Sequence, residues 1–271
     1  MRVVSLFALC ISAIASAQDT SPVLLRLHPR VGDTLHTWLD QQTEVSAMMG
    51  NAAAPPRSVT TSVAIHSRTI VRSLQSASTT VLTIVDSAAL TSTDAHAAKM
   101  IDDAQRALRG QQLVLQLGAD GTVESARDGR GVLLPRDVAD AMAAMPAVFP
   151  KKAVAVGDQW TREMPLPSGG PMGARGSGHV RATFHLDSLQ KGGAVAYVSM
   201  RGDILADSTS RDVELTGSIV GAMQLDRVRG WMTDSRILVQ LRSMVTPPGA
   251  GMPAMRFMTR VTQRLRTMDK R

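Results

Sequence analysis

From Val180 to Asp187 the chain alternates without a break: Val180, Ala182, Phe184 and Leu186 take turns with Arg181, Thr183, His185 and Asp187. Extended backbone sends successive side chains to opposite faces, so this stretch can bury its apolar half only as a strand with one dry and one wet side. The same period organises much of the chain. Val59, Val63, Ile65 and Val71 oppose Thr60, Ser62, His66 and Arg68. Val213, Leu215, Ile219, Met223 and Leu225 share a face, as do Ile237, Val239 and Leu241, and then Met255, Phe257, Val261 and Leu265. The expectation is a mainly β, antiparallel sheet with one solvated face.

Two segments break the period. Thr93 to Arg109 is Ala-rich, with capping candidates at Thr91, Ser92 and Thr93 and Gly110 past its end, and reads as a helix. Arg136 to Met145, opened by Pro135 and stopped by Pro146, reads as a second. Gly50 to Ser58, Pro165 to Gly178 and Thr246 to Pro253 read as loops, and Arg201-Gly202-Asp203 as a turn at a strand end.

Val31-Gly32-Asp33 is echoed by Val156-Gly157-Asp158. Further matches follow in the same order: Ser73-Leu74-Gln75 with Ser188-Leu189-Gln190, then Gly121 with Gly230 and Arg127 with Arg236. Ordered matches of this kind predict an internal duplication, with units of about 24–134 and 148–268 inside one domain spanning 18–271. Gly-Asp itself reads as a turn that aims the following strand.

Arg2, the apolar run Val3 to Ile14, and Ala15-Ser16-Ala17 predict a signal peptide over 1–17, cleaved after Ala17. The run is too short for a membrane span, so an exported protein, periplasmic or extracellular and not transmembrane, is expected. Cleavage also removes Cys10, the only cysteine. The exported chain then has no disulfide, thiol nucleophile or thiolate ligand, and its stability must come from its core. A net charge of +7 and a pI near 10.4 raise the question of nucleic acid. Aromatic residues are only 3% of the chain, too few for base-stacking platforms, so no nucleic-acid partner is expected, while an anionic envelope surface is.

No motif in the chain specifies a reaction. The six histidines, His28, His36, His66, His96, His179 and His185, form no H-E-x-x-H, and His179 and His185 lie far apart on a polar strand face. G-x-S-x-G and a phosphate-binding glycine loop are both missing. Met252, Met255 and Met258 could suggest Cu(I), but period two sends Met255 and Met258 to opposite faces, and the 16 methionines read as adaptable apolar filler. Catalytic, cofactor and metal residues are therefore unassigned, and the chain is read as no enzyme. Arg256, Arg260, Arg264 and Arg266 share the polar face of the last strand, and Arg236 and Arg242 that of the strand before it. The plain reading is a solvated face whose cations deter strand pairing. The functional reading is docking on phosphate-rich head groups or another acidic partner.

The signal peptide, the two similar β-units with inserted helices and the phrase "FPKKAVAVGDQW" together resemble an uncharacterised family of exported bacterial proteins of unknown function. More distantly, the plan is similar to the lipoprotein-localisation-factor (LolA/LolB-like) superfamily, from about Leu24 to Met268. That resemblance implies an α+β fold: a strongly curved antiparallel sheet or half-barrel with both helices on its concave side. It further implies a cavity for an apolar small molecule or lipid, and Leu115, Leu117, Met142, Met145, Met223 and Leu225 are its candidate lining. Two functional expectations follow: a non-enzymatic envelope binding protein for an apolar ligand, or an interaction module docking through the Arg-rich face. A hydrolase whose site leaves no sequence signature ranks third.

Overall fold

The computed structural model describes residues 21–49, 57–134, 148–166, 178–206, 213–245 and 254–268. The predicted signal peptide and the predicted helix Arg136–Met145 lie outside them. Eleven strands form the molecule: β1 (Thr34–Met49), β2 (Arg57–Leu74), β3 (Ser78–Ser92), β4 (Gln112–Gly118), β5 (Val123–Asp128), β6 (Gln159–Pro165), β7 (Gly178–Gln190), β8 (Val195–Ala206), β9 (Val213–Asp226), β10 (Trp231–Val245) and β11 (Met255–Met268). They make one antiparallel sheet in the order β5-β4-β3-β2-β1-β11-β10-β9-β8-β7-β6, curved but not closed. Each strand pairs with its neighbour in sequence, except that β11 returns beside β1 and β5 and β6 form the two edges. This is the mainly β antiparallel fold that the alternation predicts, and it has the curvature that the half-barrel resemblance implies.

The helical segment is shorter than the sequence suggests. A 3₁₀ turn (Ala95–Ala97) leads into α1 (Ala98–Leu108), and the cap is Asp94, whose carboxylate accepts the His96 N–H at 2.9 Å. Thr93 is occupied elsewhere, its hydroxyl accepting from the Thr60 N–H at 2.9 Å. β4 pairs only with Ser78–Ile84 of β3, which leaves the rest of β3 without a strand partner on that edge. α1 packs against β3, and the Gln105 side chain accepts the Leu90 N–H at 3.1 Å. A side-chain amide thus satisfies one backbone donor where no strand follows, which protects that edge. Arg201, Gly202 and Asp203 correct the sequence reading: they lie inside β8, not at a turn, and a Cβ on Gly202 would come within 2.4 Å of the Arg181 carbonyl on β7.

Residues 21–33 and 148–158 run across the end of the sheet where β1 and β6 begin. Val23 exchanges hydrogen bonds with Val154 at 2.8 and 2.9 Å, the Leu27 N–H reaches the Ala119 carbonyl at 2.8 Å, and that of His28 reaches Gly230 at 3.0 Å. Leu25, carried by this strap, is fully buried. The two Val-Gly-Asp triplets make the same turn. Gly32 and Gly157 have φ of +89° and +96°. Their N–H groups donate to Val71 and Leu186, whose own N–H groups return bonds to the Asp33 and Asp158 carbonyls. Each aspartate side chain also accepts the amide three residues back, Arg30 at 3.0 Å and Ala155 at 2.8 Å. Gly reaches this backbone region without a Cβ penalty, which is why the turn uses it.

The apolar residues gather in two places on one face of the sheet. The larger cluster holds Leu25, Phe149, Phe184, Leu186, Ile204 and Leu225 among others, and is built from β6 to β9 and the strap. The smaller holds Val71, Val81 and Leu117, with Leu27 and Trp231 against it. Between β5 and β6 a polar seam joins the edges: the Phe149 N–H donates to the Asp120 carbonyl at 3.0 Å, and the Arg162 guanidinium donates to the Phe149 carbonyl and lies 3.7 Å from the Asp120 carboxylate. The Trp160 indole completes it with a 2.9 Å bond to the Val148 carbonyl.

Candidate functional site

Register assigns every side chain of the central strands to a face. The odd residues from Leu35 to Ala47 on β1, Leu215 to Leu225 on β9, Ser235 to Ser243 on β10 and Phe257 to Thr267 on β11 point toward the side of the two clusters, here called inner. None of them is charged, and on β2 the only charged residue of this set is Arg57 at the strand's start. The arginines, aspartates and glutamates of these strands occupy the outer face, apart from that one. On these five strands charge is thus kept to the outer face apart from Arg57, whereas on β6 Arg162, in register with the core residue Ala182, brings a guanidinium to the inner side.

The inner face is not packed throughout. Leu39 and Val45 on β1, Val63 and Ile65 on β2, and Val261 and Leu265 on β11 are only half-buried, and they belong to neither cluster. They are contiguous, with Leu39 opposite both Ile65 and Leu265, and Thr43 opposite Val261. Gln41 and Gln263 face one another within the band, and the Gln41 amide donates to the Thr43 hydroxyl at 3.3 Å. An uncharged aliphatic band thus crosses the centre of the sheet between two packed regions.

Of the candidate ligand-lining residues, Leu117 lies in the smaller cluster and Leu115 packs against it, while Met223 and Leu225 are in the larger one. Leu117, Met223 and Leu225 are at most 8% exposed, already covered by protein. Met142 and Met145 lie outside the described residues. The half-exposed band carries the same alternation signal as the core, but the sequence candidates did not include it.

The six candidate arginines do share the outer face, as their spacing predicts. Arg236 stands directly opposite Arg264, and β10 and β11 are neighbours. Three are engaged. Arg264 pairs with Asp234 at 3.1 Å, Arg236 lies 3.7 Å from the same aspartate, and Arg266 pairs with Asp40 at 3.1 Å while its guanidinium lies 5.4 Å from the centre of the Trp38 ring. Arg242, Arg256 and Arg260 make no ion pair with a described residue. On β7, His179 and His185 do lie on the outer face; the His185 ring nitrogen is 2.5 Å from Asp187, which also accepts the Ser199 hydroxyl at 2.9 Å. Ser199 bonds the carboxylate rather than the imidazole, so this group lacks the base-to-nucleophile contact that hydroxyl activation needs. On β6 and β7, Arg181 donates twice to Glu163, at 2.9 and 2.7 Å, and this hydrogen bonding and its charge hold the Glu163 carboxyl below the ordinary carboxylate value. Among the described residues no three His, Cys, Asp or Glu side chains gather as metal ligands would, and no helix is long and apolar enough to cross a membrane.

Residues 135–232, from before β6 into the start of β10, match the model of a family of unknown function, DUF6263. No curated protein matches the chain. Among solved structures, an outer membrane channel from Pseudomonas putida F1 aligns over 89% of this chain and 97% of its own, at 10% identity and a TM-score of 0.22. A LolA superfamily protein from Nitrosomonas europaea aligns over 90% of both chains, at 7% identity and a TM-score of 0.16. At such scores neither neighbour assigns a function to this chain.

Proposed function

We propose that this chain is an exported, non-catalytic binding protein of the cell envelope that holds a flexible apolar chain, such as an acyl group, against the inner face of its sheet. The observation that supports the reading is the partly buried band of Leu39, Val45, Val63, Ile65, Val261 and Leu265, which joins neither packed cluster. An uncharged apolar strip that neither core incorporates offers surface to an apolar ligand. The chemistry of the band selects the occupant: it is aliphatic and uncharged, with Thr and Gln but no aromatic ring among its members, so it offers dispersion contacts to a conformable chain rather than stacking to a planar one. Export rests on the Ala15-Ser16-Ala17 segment, and the duplication over about 24–134 and 148–268 is supported by the equivalent hydrogen bonds of the two Val-Gly-Asp turns.

The test is organic extraction of the protein purified from an expressing cell's periplasm, with mass spectrometry of the extract, alongside binding of the neutral fluorophore N-phenyl-1-naphthylamine to extracted protein. Val261→Lys places an ammonium in the middle of the band. It is expected to abolish both the co-purified apolar species and the fluorescence gain while the protein stays folded. A clean extract together with no fluorescence gain by wild-type protein would overturn the reading.

A further inference from the structure

The upper ends of β9, β10, β11 and β1 carry a second feature, on the opposite face from the band. Here the outer side chains form a checkerboard: Arg242 is paired across the strands with Met258, Met244 with Arg256, and Arg256 in turn with Met48. Arg242 and Arg256 are therefore diagonal neighbours on adjacent strands, a separation that two arginine side chains bridge with reach to spare. They line a groove of about 540 Å³ together with Glu214, which sits opposite Met244 on β9 and is likewise a diagonal neighbour of Arg242. Met258 is 52% exposed and Met48 is 40% exposed, so both offer apolar surface to the groove.

The contrast along the same two strands gives the groove its meaning. At the other end of this face Arg236, Arg264 and Arg266 are each held by an aspartate, so their charge is spent inside the protein. Arg242 and Arg256 have no such partner among the described residues, and Glu214, the only acidic side chain of the groove, forms no ion pair with them. Two guanidinium groups without an ion-pair partner among the described residues match one phosphate or carboxylate, and methionine, flexible and polarizable, matches an irregular hydrocarbon tail. We infer that this outer groove is a binding site for an anionic amphiphile, its phosphate held between Arg242 and Arg256 and its alkyl tail laid over Met48, Met244 and Met258.

This site is separate from the inner band, and the experiment keeps the two apart. Decyl phosphate, below its micellar concentration, is titrated calorimetrically into the full mature protein, with inorganic phosphate and decanol as half-ligands. Saturable binding of decyl phosphate is expected, weakened more than about tenfold in the double variant Arg242→Gln/Arg256→Gln and weakened by added salt. It is expected to be unchanged in Arg236→Gln, whose charge is already paired, and in Val261→Lys, which alters only the inner band. A parallel flotation with phosphatidylcholine vesicles, with and without phosphatidylglycerol, identifies the source. Capture by the anionic vesicles that the double variant loses points to lipid head groups, and decyl phosphate binding without vesicle capture points to a free amphiphile. In the Val261→Lys background, which closes the inner band to an alkyl chain, binding that survives Arg242→Gln/Arg256→Gln overturns the groove assignment, as does the absence of binding in a protein whose circular dichroism shows it folded.

Discussion

The two Val-Gly-Asp turns allow a backbone argument to be tested twice in one molecule. Consider Gly32→Ala and Gly157→Ala. A Cβ at either position would meet no atom within 4 Å, so no clash contributes. What remains is the left-handed backbone, φ of +89° and +96°, which costs a non-glycine residue about 1–3 kcal/mol. Alanine also stiffens the unfolded chain, which offsets about 0.4–1 kcal/mol. Rotating φ away does not relieve the strain, because the Gly32 and Gly157 N–H groups are committed to Val71 and Leu186 at 3.0 and 2.9 Å. Each substitution is therefore expected to lower stability by about 1–2 kcal/mol, with the two values agreeing within about 0.5 kcal/mol and adding in the double variant. Urea unfolding followed by fluorescence of the three tryptophans reads this directly. Gly230→Ala is the contrast: φ is +61°, and its Cβ would lie 2.6 Å from the His28 carbonyl carbon, so the strap must move and the loss should exceed that of either turn. A neutral result at Gly32 or Gly157, or a large loss at one and none at the other, would refute the claim that the turns are physically equivalent.

Arg162→Met keeps the bulk of the side chain but strips the seam of its donor, leaving the Phe149 carbonyl and Asp120, whose side chain is 23% exposed, without that partner. A loss of about 2–4 kcal/mol is expected in the same urea assay, and a neutral outcome would show that the seam does not tie the two sheet edges. The Glu163 carboxyl, depressed by Arg181, should titrate in a carbon-detected NMR experiment below its ordinary value of 4.5. Because the folded value lies below the unfolded one, the pair's contribution is complete above that pH and is lost as pH falls through the folded value. Arg181→Gln should return the midpoint to the ordinary range, and an unmoved midpoint would mean that Arg181 is not the cause.

The strands were legible because period two is a covalent fact of extended backbone, and Val180 to Leu186 could dry only one of its faces. The same period identifies a face without saying whether anything covers it. Leu225 and Leu265 both alternate toward the inner side, yet Leu225 is fully buried and Leu265 half-buried, because the covering segments lie over the β6 to β9 side. The ligand candidates chosen from sequence thus included core residues and missed the open band. The arginine face had the opposite fate. Its placement followed from spacing, but its pairing did not, since Arg266 meets an aspartate near the other end of the chain only once β11 has returned beside β1. Asp94 displaced the neighbouring Thr and Ser as the helix cap because Thr93 was drawn into bonding β2, a tertiary preference that local sequence does not record.

The difference between the two halves of the inner face is one of supplied bulk. On β7 the inward residues are Val180, Ala182, Phe184 and Leu186, none more than 7% exposed, with Phe149 and Leu25 brought over the sheet to fill the space. On β1 the corresponding run is Thr37, Leu39, Gln41, Thr43 and Val45, all half-buried and none part of either core cluster. A chain selected only for stability could have gained about 0.8 kcal/mol for each further methylene buried there. On the proposed reading, a bound apolar chain would add against β1 the bulk that Phe149 and Leu25 supply against β7.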